Sequence, residues 1–162
     1  MKRIGDVREY DARVPGSVLS ALLENGDVED PFYRRNEYRA RELFREDYEF
    51  QREFEIPDLF AEEEEPELVC EGLDTLAEIR INGNVVGKAD NMHRTWRIPV
   101  REVLQRGRNS ISIRFFSPLK FIDGYEYGEG RTVQYVPCGC MKGNHLLRKA
   151  HSMFGWDWGP QL

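Results

Sequence analysis

The sequence predicts an all-β fold, an antiparallel β-sandwich of jelly-roll type with one short helix near its start. Three observations lead there. From residue 47 the apolar period is two: Tyr48, Phe50, Phe54 and Ile56 alternate with Glu49, Gln51, Glu53 and Glu55. Turn signals then recur about every 8–14 residues, which is the rhythm of sandwiches and barrels. No long helical repeat interrupts the stretch between Asp47 and Pro118, so a parallel sheet with helical crossovers is not expected.

Each element has its own reason. Residues 1–13 are polar, with Ile4, Val7 and Tyr10 as apolar anchors, and suit a first strand or a docked arm. Val14-Pro15-Gly16-Ser17 turns the chain, and Ser17 is a good N-cap for a two-turn helix carrying Val18, Leu19, Ala21, Leu22 and Leu23. Asn25-Gly26 ends it. Asp30-Pro31-Phe32-Tyr33 opens a loop, and the charges from Arg34 to Glu42 read as a solvated face. The strand from Tyr48 stops at Pro57, and Glu62 to Pro66 is an acidic loop. Leu68-Val69-Cys70 is a strand, and Ala77, Ile79 and Ile81 mark the next. Asn82-Gly83 then predicts a tight hairpin returning through Val85-Val86, because both turn residues need positive φ. Trp96, Ile98 and Val100 share one face of a further strand, which Pro99 restricts to an edge or bulge. Ile111 to Phe115 is the last clear strand, closed by Ser117-Pro118. From residue 119 to 147 the rhythm is lost, and a connection of that length is expected to be functional or irregular.

The chain has 162 residues, enough for one domain with a sizeable core. Its net charge of −6 argues against nucleic acid, whose phosphates require a basic surface. No apolar run reaches the roughly 20 residues of a membrane span. The start, Met1 to Asp6, has no apolar signal-like core, and the three cysteines, Cys70, Cys138 and Cys140, are odd in number. Free thiols in a reducing, cytoplasmic setting follow as the expectation. Cys138-Gly139-Cys140 with His145 and His151 lacks the spacing of a structural zinc site, so neither a metal nor a cofactor is expected.

The stretch richest in chemistry is Phe154-Gly155-Trp156-Asp157-Trp158-Gly159-Pro160. Two indoles offer flat apolar area to the C–H faces of a sugar, and a carboxylate between them accepts hydroxyl hydrogen bonds. The competing reading makes both indoles core residues and Asp157 a turn cap. Arg148 and Lys149 either bind an acid or, on the favoured reading, balance the acidic surface. A glycosidase needs two carboxylates about 5–9.5 Å apart across one bond; among 29 acidic residues no pair is distinguished by its context. There is no Gly-x-Ser-x-Gly elbow, phosphate loop or His-Glu-x-x-His motif. Residue chemistry alone thus gives a β-sandwich with an aromatic rim suited to carbohydrate, and no catalytic residue.

Taken together, Val14-Pro15-Gly16-Ser17, Asp30-Pro31-Phe32-Tyr33 with Asn36-Glu37, Gly72-Leu73-Asp74-Thr75 with Ile79 and Asn82-Gly83, Phe116-Ser117-Pro118, and Arg148-Lys149 leading into Trp156-Asp157-Trp158-Gly159-Pro160 resemble the N-terminal domain of β-mannosidases of glycoside hydrolase family 2. The resemblance covers residues 13–162. It implies a galactose-binding-domain-like jelly roll, followed in the family by an immunoglobulin-like sandwich and a (β/α)₈ barrel that holds both catalytic glutamates. It further implies that Asp157 hydrogen-bonds a terminal mannose while Trp156 and Trp158 shape and dry the pocket wall, with the chemistry supplied by a catalytic domain of the same chain. A β-mannoside or related carbohydrate is the implied substrate. Exo-glucosaminidases, galactosidases and glucuronidases of the same family are the neighbouring readings, and a stand-alone carbohydrate-binding or structural module is the alternative of another class. The 162 residues are expected to form one domain, cut short of its final strands, with an open sheet edge through which two copies could pair.

Overall fold

A computed structural model describes residues 1–57, 65–126 and 143–155. Among the described residues seven strands form two sheets, and the strands pair antiparallel. They are β1 (Lys2–Arg3), β2 (Tyr48–Ile56), β3 (Glu67–Cys70), β4 (Ala77–Ile81), β5 (Asn84–Ala89), β6 (Trp96–Pro99) and β7 (Gly107–Phe115). The larger sheet has the order β1-β2-β7-β4-β5, and β3 and β6 form the smaller one. β7 is central: it pairs along its whole length with β2, from Tyr48 opposite Phe115 to Ile56 opposite Gly107, and on its other side with β4. β6 pairs only with β3, so Pro99 sits where a missing N–H costs no central ladder bond.

The core lies between the two sheets. Ile79, Ile81, Ala77 and Ala89 point from the large sheet at Cys70, Leu73, Ile98 and Val100, with Ile111, Ile113, Phe115 and Trp96 packed around them. Alternation of side chains explains the choice: β4 buries Ala77, Ile79 and Ile81 while Glu78 and Arg80 stay at the surface and pair with each other at 2.7 Å.

Asn82 and Gly83 have φ of 50° and 81°, the two positive values the hairpin requires. Asn82 also ties the turn to the next strand. Its Oδ1 accepts from the Ser110 N–H at 2.9 Å, and its Nδ2 donates to Val103 O and Asn109 Oδ1, both at 2.8 Å. Asn109, only 1% exposed, donates to the Gln105 and Gly107 carbonyls and accepts from the Gln105 N–H.

Among the described residues there are three α-helices. α1 (Val18–Glu24) begins at the foreseen Ser17 cap, with a reciprocal bond to Ser20 that completes a capping box, and ends at Asn25. It packs Leu22 against Tyr10 and Tyr48 in a second, smaller core. α2 (Asn36–Leu43) and α3 (Pro118–Asp123) were not expected from the sequence. α2 falls in the charged run, and of its residues only Ala40 is buried. Its apolar stripe is too thin to announce a helix. α3 is capped by Ser117, whose hydroxyl accepts from the Lys120 N–H, with Pro118 at the first helical position. It occupies the start of the segment where the strand rhythm was lost.

Candidate functional site

The expected site residues Trp156, Asp157 and Trp158 lie outside the described residues, as do Cys138 and Cys140. The structure does describe the segment that leads into them, residues 143–155, and what holds it.

That segment is laid across one end of the sandwich and fastened at successive points. Gly143 starts it with φ of 86°, so close to α3 that an added Cβ would lie 2.3 Å from Ile122 Cγ2; only glycine fits there. A 3₁₀ turn, Asn144–Leu146, precedes the buried Leu147. Arg148 then forms a parallel bridge with Asn91, and its carbonyl accepts from the Met92 N–H at 3.0 Å. The Ala150 N–H points at Met92 Sδ, 3.0 Å away. A second 3₁₀ turn, His151–Phe154, ends in Phe154, which is fully buried. Gly155, buried and at φ 107°, follows in a backbone conformation that favours glycine.

Lys149 has a more specific place than surface charge balance. Its ammonium donates to the Asp74 carboxylate and lies 3.2 Å from Met153 Sδ. The two charged side chains are only 14% and 30% exposed, and a shielded pair loses less to water than a surface one. Asp74 in turn accepts from the hydroxyl of the buried Thr75. The Gly72 to Thr75 motif and the Arg148-Lys149 pair, far apart in sequence, therefore meet at one contact. Arg148 remains exposed.

Beside this strap, a hollow of about 690 Å³ opens where β4 begins and β5 and β7 end. Trp96, Phe116 and Phe121 give it aromatic walls, and Asp90, Ser117 and Lys120 give it polar groups. Trp96 is held rigidly: Arg94 stacks at 4.3 Å from its ring centroid and its Nε1 donates to Asn91 O. At the lip, Asp47 accepts from Arg114 Nη2 at 2.7 Å and from the Ser117 N–H at 3.0 Å. Burial, the largest single influence, would raise the Asp47 carboxyl, but these two donors together with the nearby Lys120 and Arg114 charges keep the group below the usual carboxylate range. Neither the strap nor the hollow was legible beforehand; the only sequence signal was the recurrence of Asp74 and Lys149 in two separate motifs.

Among the described residues no three His, Cys, Asp or Glu side chains are grouped so as to hold a metal. Cys70 is a buried free thiol, its pKa pushed up by burial, and it sits in the core as a small apolar residue. No helix of the described residues is long and apolar enough to cross a membrane.

The chain is similar to known proteins over nearly its whole length. The β-mannosidase of Mus musculus is 34% identical over 161 residues, covering 95% of this chain and 18% of that protein. β-Mannosidase A of Emericella nidulans is 32% identical over 152 residues, covering 92% of this chain and 16% of that protein. The crystal structure of the β-D-mannosidase from Dictyoglomus thermophilum superposes with a TM-score of 0.83 at 34% identity, over 99% of this chain and 20% of that one. The Amycolatopsis orientalis exo-chitosanase, at a TM-score of 0.58 and 21% identity, shares the fold. The chain thus spans about a fifth of the length of the relatives it matches. The family described as the glycosyl hydrolase 2 galactose-binding domain-like family matches residues 2–162, and the chain belongs to it.

Proposed function

We propose that this chain serves as the first domain of an exo-acting, retaining β-mannosidase. It supplies Trp156, Asp157 and Trp158 to the pocket for the terminal mannose, while two glutamates of a catalytic domain act as acid/base and nucleophile. The observation that carries the reading is the anchoring of the strap. Lys149 on Asp74, the buried Phe154 and the buried Gly155 at φ 107° hold the residues that immediately precede the tryptophan motif, as a pre-organised pocket wall requires. The identity to β-mannosidases supports this choice within the family, whereas the exo-chitosanase offers likeness of fold alone.

The test is a graft. The 162 residues replace the matched fifth of the Dictyoglomus thermophilum enzyme, and hydrolysis of 4-nitrophenyl β-D-mannoside is measured. The expected result is turnover by the graft and none by the 162-residue chain alone. An inactive graft, or a chain that hydrolyses the substrate unaided, contradicts the proposal.

Two further assignments belong to this reading. The 162-residue chain by itself associates through a sheet edge, since β5 is paired on one side only among the described residues; monomer mass in sedimentation at all concentrations would refute this. The compartment is the reducing cytoplasm, in keeping with the free thiol of Cys70; recovery of the native protein outside it would refute that.

A further inference from the structure

The loop and helix from Asp30 to Arg39 carry a motif that neither the core nor the strap explains. Phe32, Tyr33 and Tyr38 are 75%, 57% and 56% exposed, and three large aromatics that close in sequence are costly to leave in water. They are not exposed because the loop is slack. The Phe32 N–H donates to Asp30 Oδ1 at 2.9 Å, the Tyr33 N–H to Asp30 O at 3.1 Å, and Asn36 Nδ2 to the same carbonyl at 3.0 Å. Arg34 is held at φ 55°, a left-handed value rare for a long side chain, with its guanidinium 5.0 Å from the Tyr33 ring centroid. The loop spends its polar groups on keeping a shape that shows its aromatics outward. Below them Tyr33, Arg34, Arg35, Asn36 and Arg39 line a hollow of about 1000 Å³ with Glu29 and Asp30. Arg39 reaches Glu29 at 3.7 Å, while among the described residues Arg34 and Arg35 make no ion pair with a carboxylate.

We infer that the surface formed by Phe32, Tyr33, Tyr38 and the Arg34-Arg35 pair is the face on which this domain docks onto the catalytic domain. This rests on the proposed function, and it adds which surface is used and what it meets. Relatives about five times longer supply the polypeptide to cover it. The partner surface is apolar enough to receive the three rings and carries carboxylates for Arg34 and Arg35.

The experiment is hydrogen exchange read by mass spectrometry, on the 162-residue chain and on the Dictyoglomus thermophilum graft. Peptides covering residues 31–39 should exchange at least about tenfold more slowly in the graft, with β2 and β7 unchanged. The double variant Arg34→Glu/Arg35→Glu, and separately Phe32→Ser/Tyr38→Ser, should abolish that slowing. All four side chains are exposed, so the isolated chain keeps its fold, checked by circular dichroism. Equal exchange in an active graft overturns the docking face and leaves the proposed function standing. Slowed exchange in an inactive graft supports the face and refutes the function. Slowing that survives both variants, or equal exchange in an inactive graft, overturns the assignment of this face.

Discussion

Asn109 shows how one side chain can hold a turn that the backbone leaves open. Its amide satisfies three groups of the 105–107 turn and joins Asn82 across the hairpin. Asn109→Ala removes the partner of these part-buried groups and should cost on the order of 1 kcal/mol in urea unfolding. Asp47 is a second such residue, bound by Arg114 and the Ser117 N–H. Because its folded pKa is depressed, its contribution is present above the ordinary carboxylate pKa and is lost as pH falls through the folded value. Acid unfolding of Asp47→Asn should therefore be less steep with pH than that of the parent. Tyr48 acts at the opposite limit. Burial, its largest cause, raises its phenol to about 12, so the stability it brings is complete below pH 10 and fades as pH rises through 12. Tyr48→Phe should flatten the alkaline limb of the stability profile. Of these residues only Asn82, with Gly83 beside it, announced its role in the sequence, because positive φ at both positions is a local demand. The roles of Asn109 and Asp47 depend on partners brought together by folding.

At the scale of elements, legibility followed periodicity. β2, β4, β6 and β7 bury alternate residues or have turn punctuation at both ends, and each was readable. α1 had a cap and a stop. α2 escaped because Arg, Glu and Asn dominate it and one alanine is its whole buried face. α3 escaped because six residues are too few to show a period. The strap could not be read at all, since its hold comes from Asp74, Asn91 and Met92, residues of other segments. Its most deeply buried side chain is Phe154. Phe154→Ala should lower stability by about 3–5 kcal/mol if the cavity persists. Lys149→Met removes the ion pair while keeping bulk; hydrogen exchange over residues 143–155 should speed up, with the β2–β7 ladder unaffected. Uniform exchange changes across the sheet would instead mean that Lys149 supports the whole fold.

For the whole molecule, the two sheets form a platform, and the proposed functional features lie outside its strands. One is the strap, residues 143–155, which immediately precedes the tryptophan motif in sequence. Another is the aromatic loop at residues 30–39, whose exposed rings are the proposed docking face. The family resemblance was legible because short motifs recur in order along the chain. Their meeting, Asp74 with Lys149, needed the coordinates. Asp157 is proposed to line a mannose pocket that another domain completes. Its most direct test is Asp157→Ala in the active Dictyoglomus thermophilum graft, followed by kcat/KM on 4-nitrophenyl β-D-mannoside. A loss equivalent to about 2–4 kcal/mol of transition-state stabilisation is expected; a variant as efficient as its parent would show that Asp157 takes no part in the pocket.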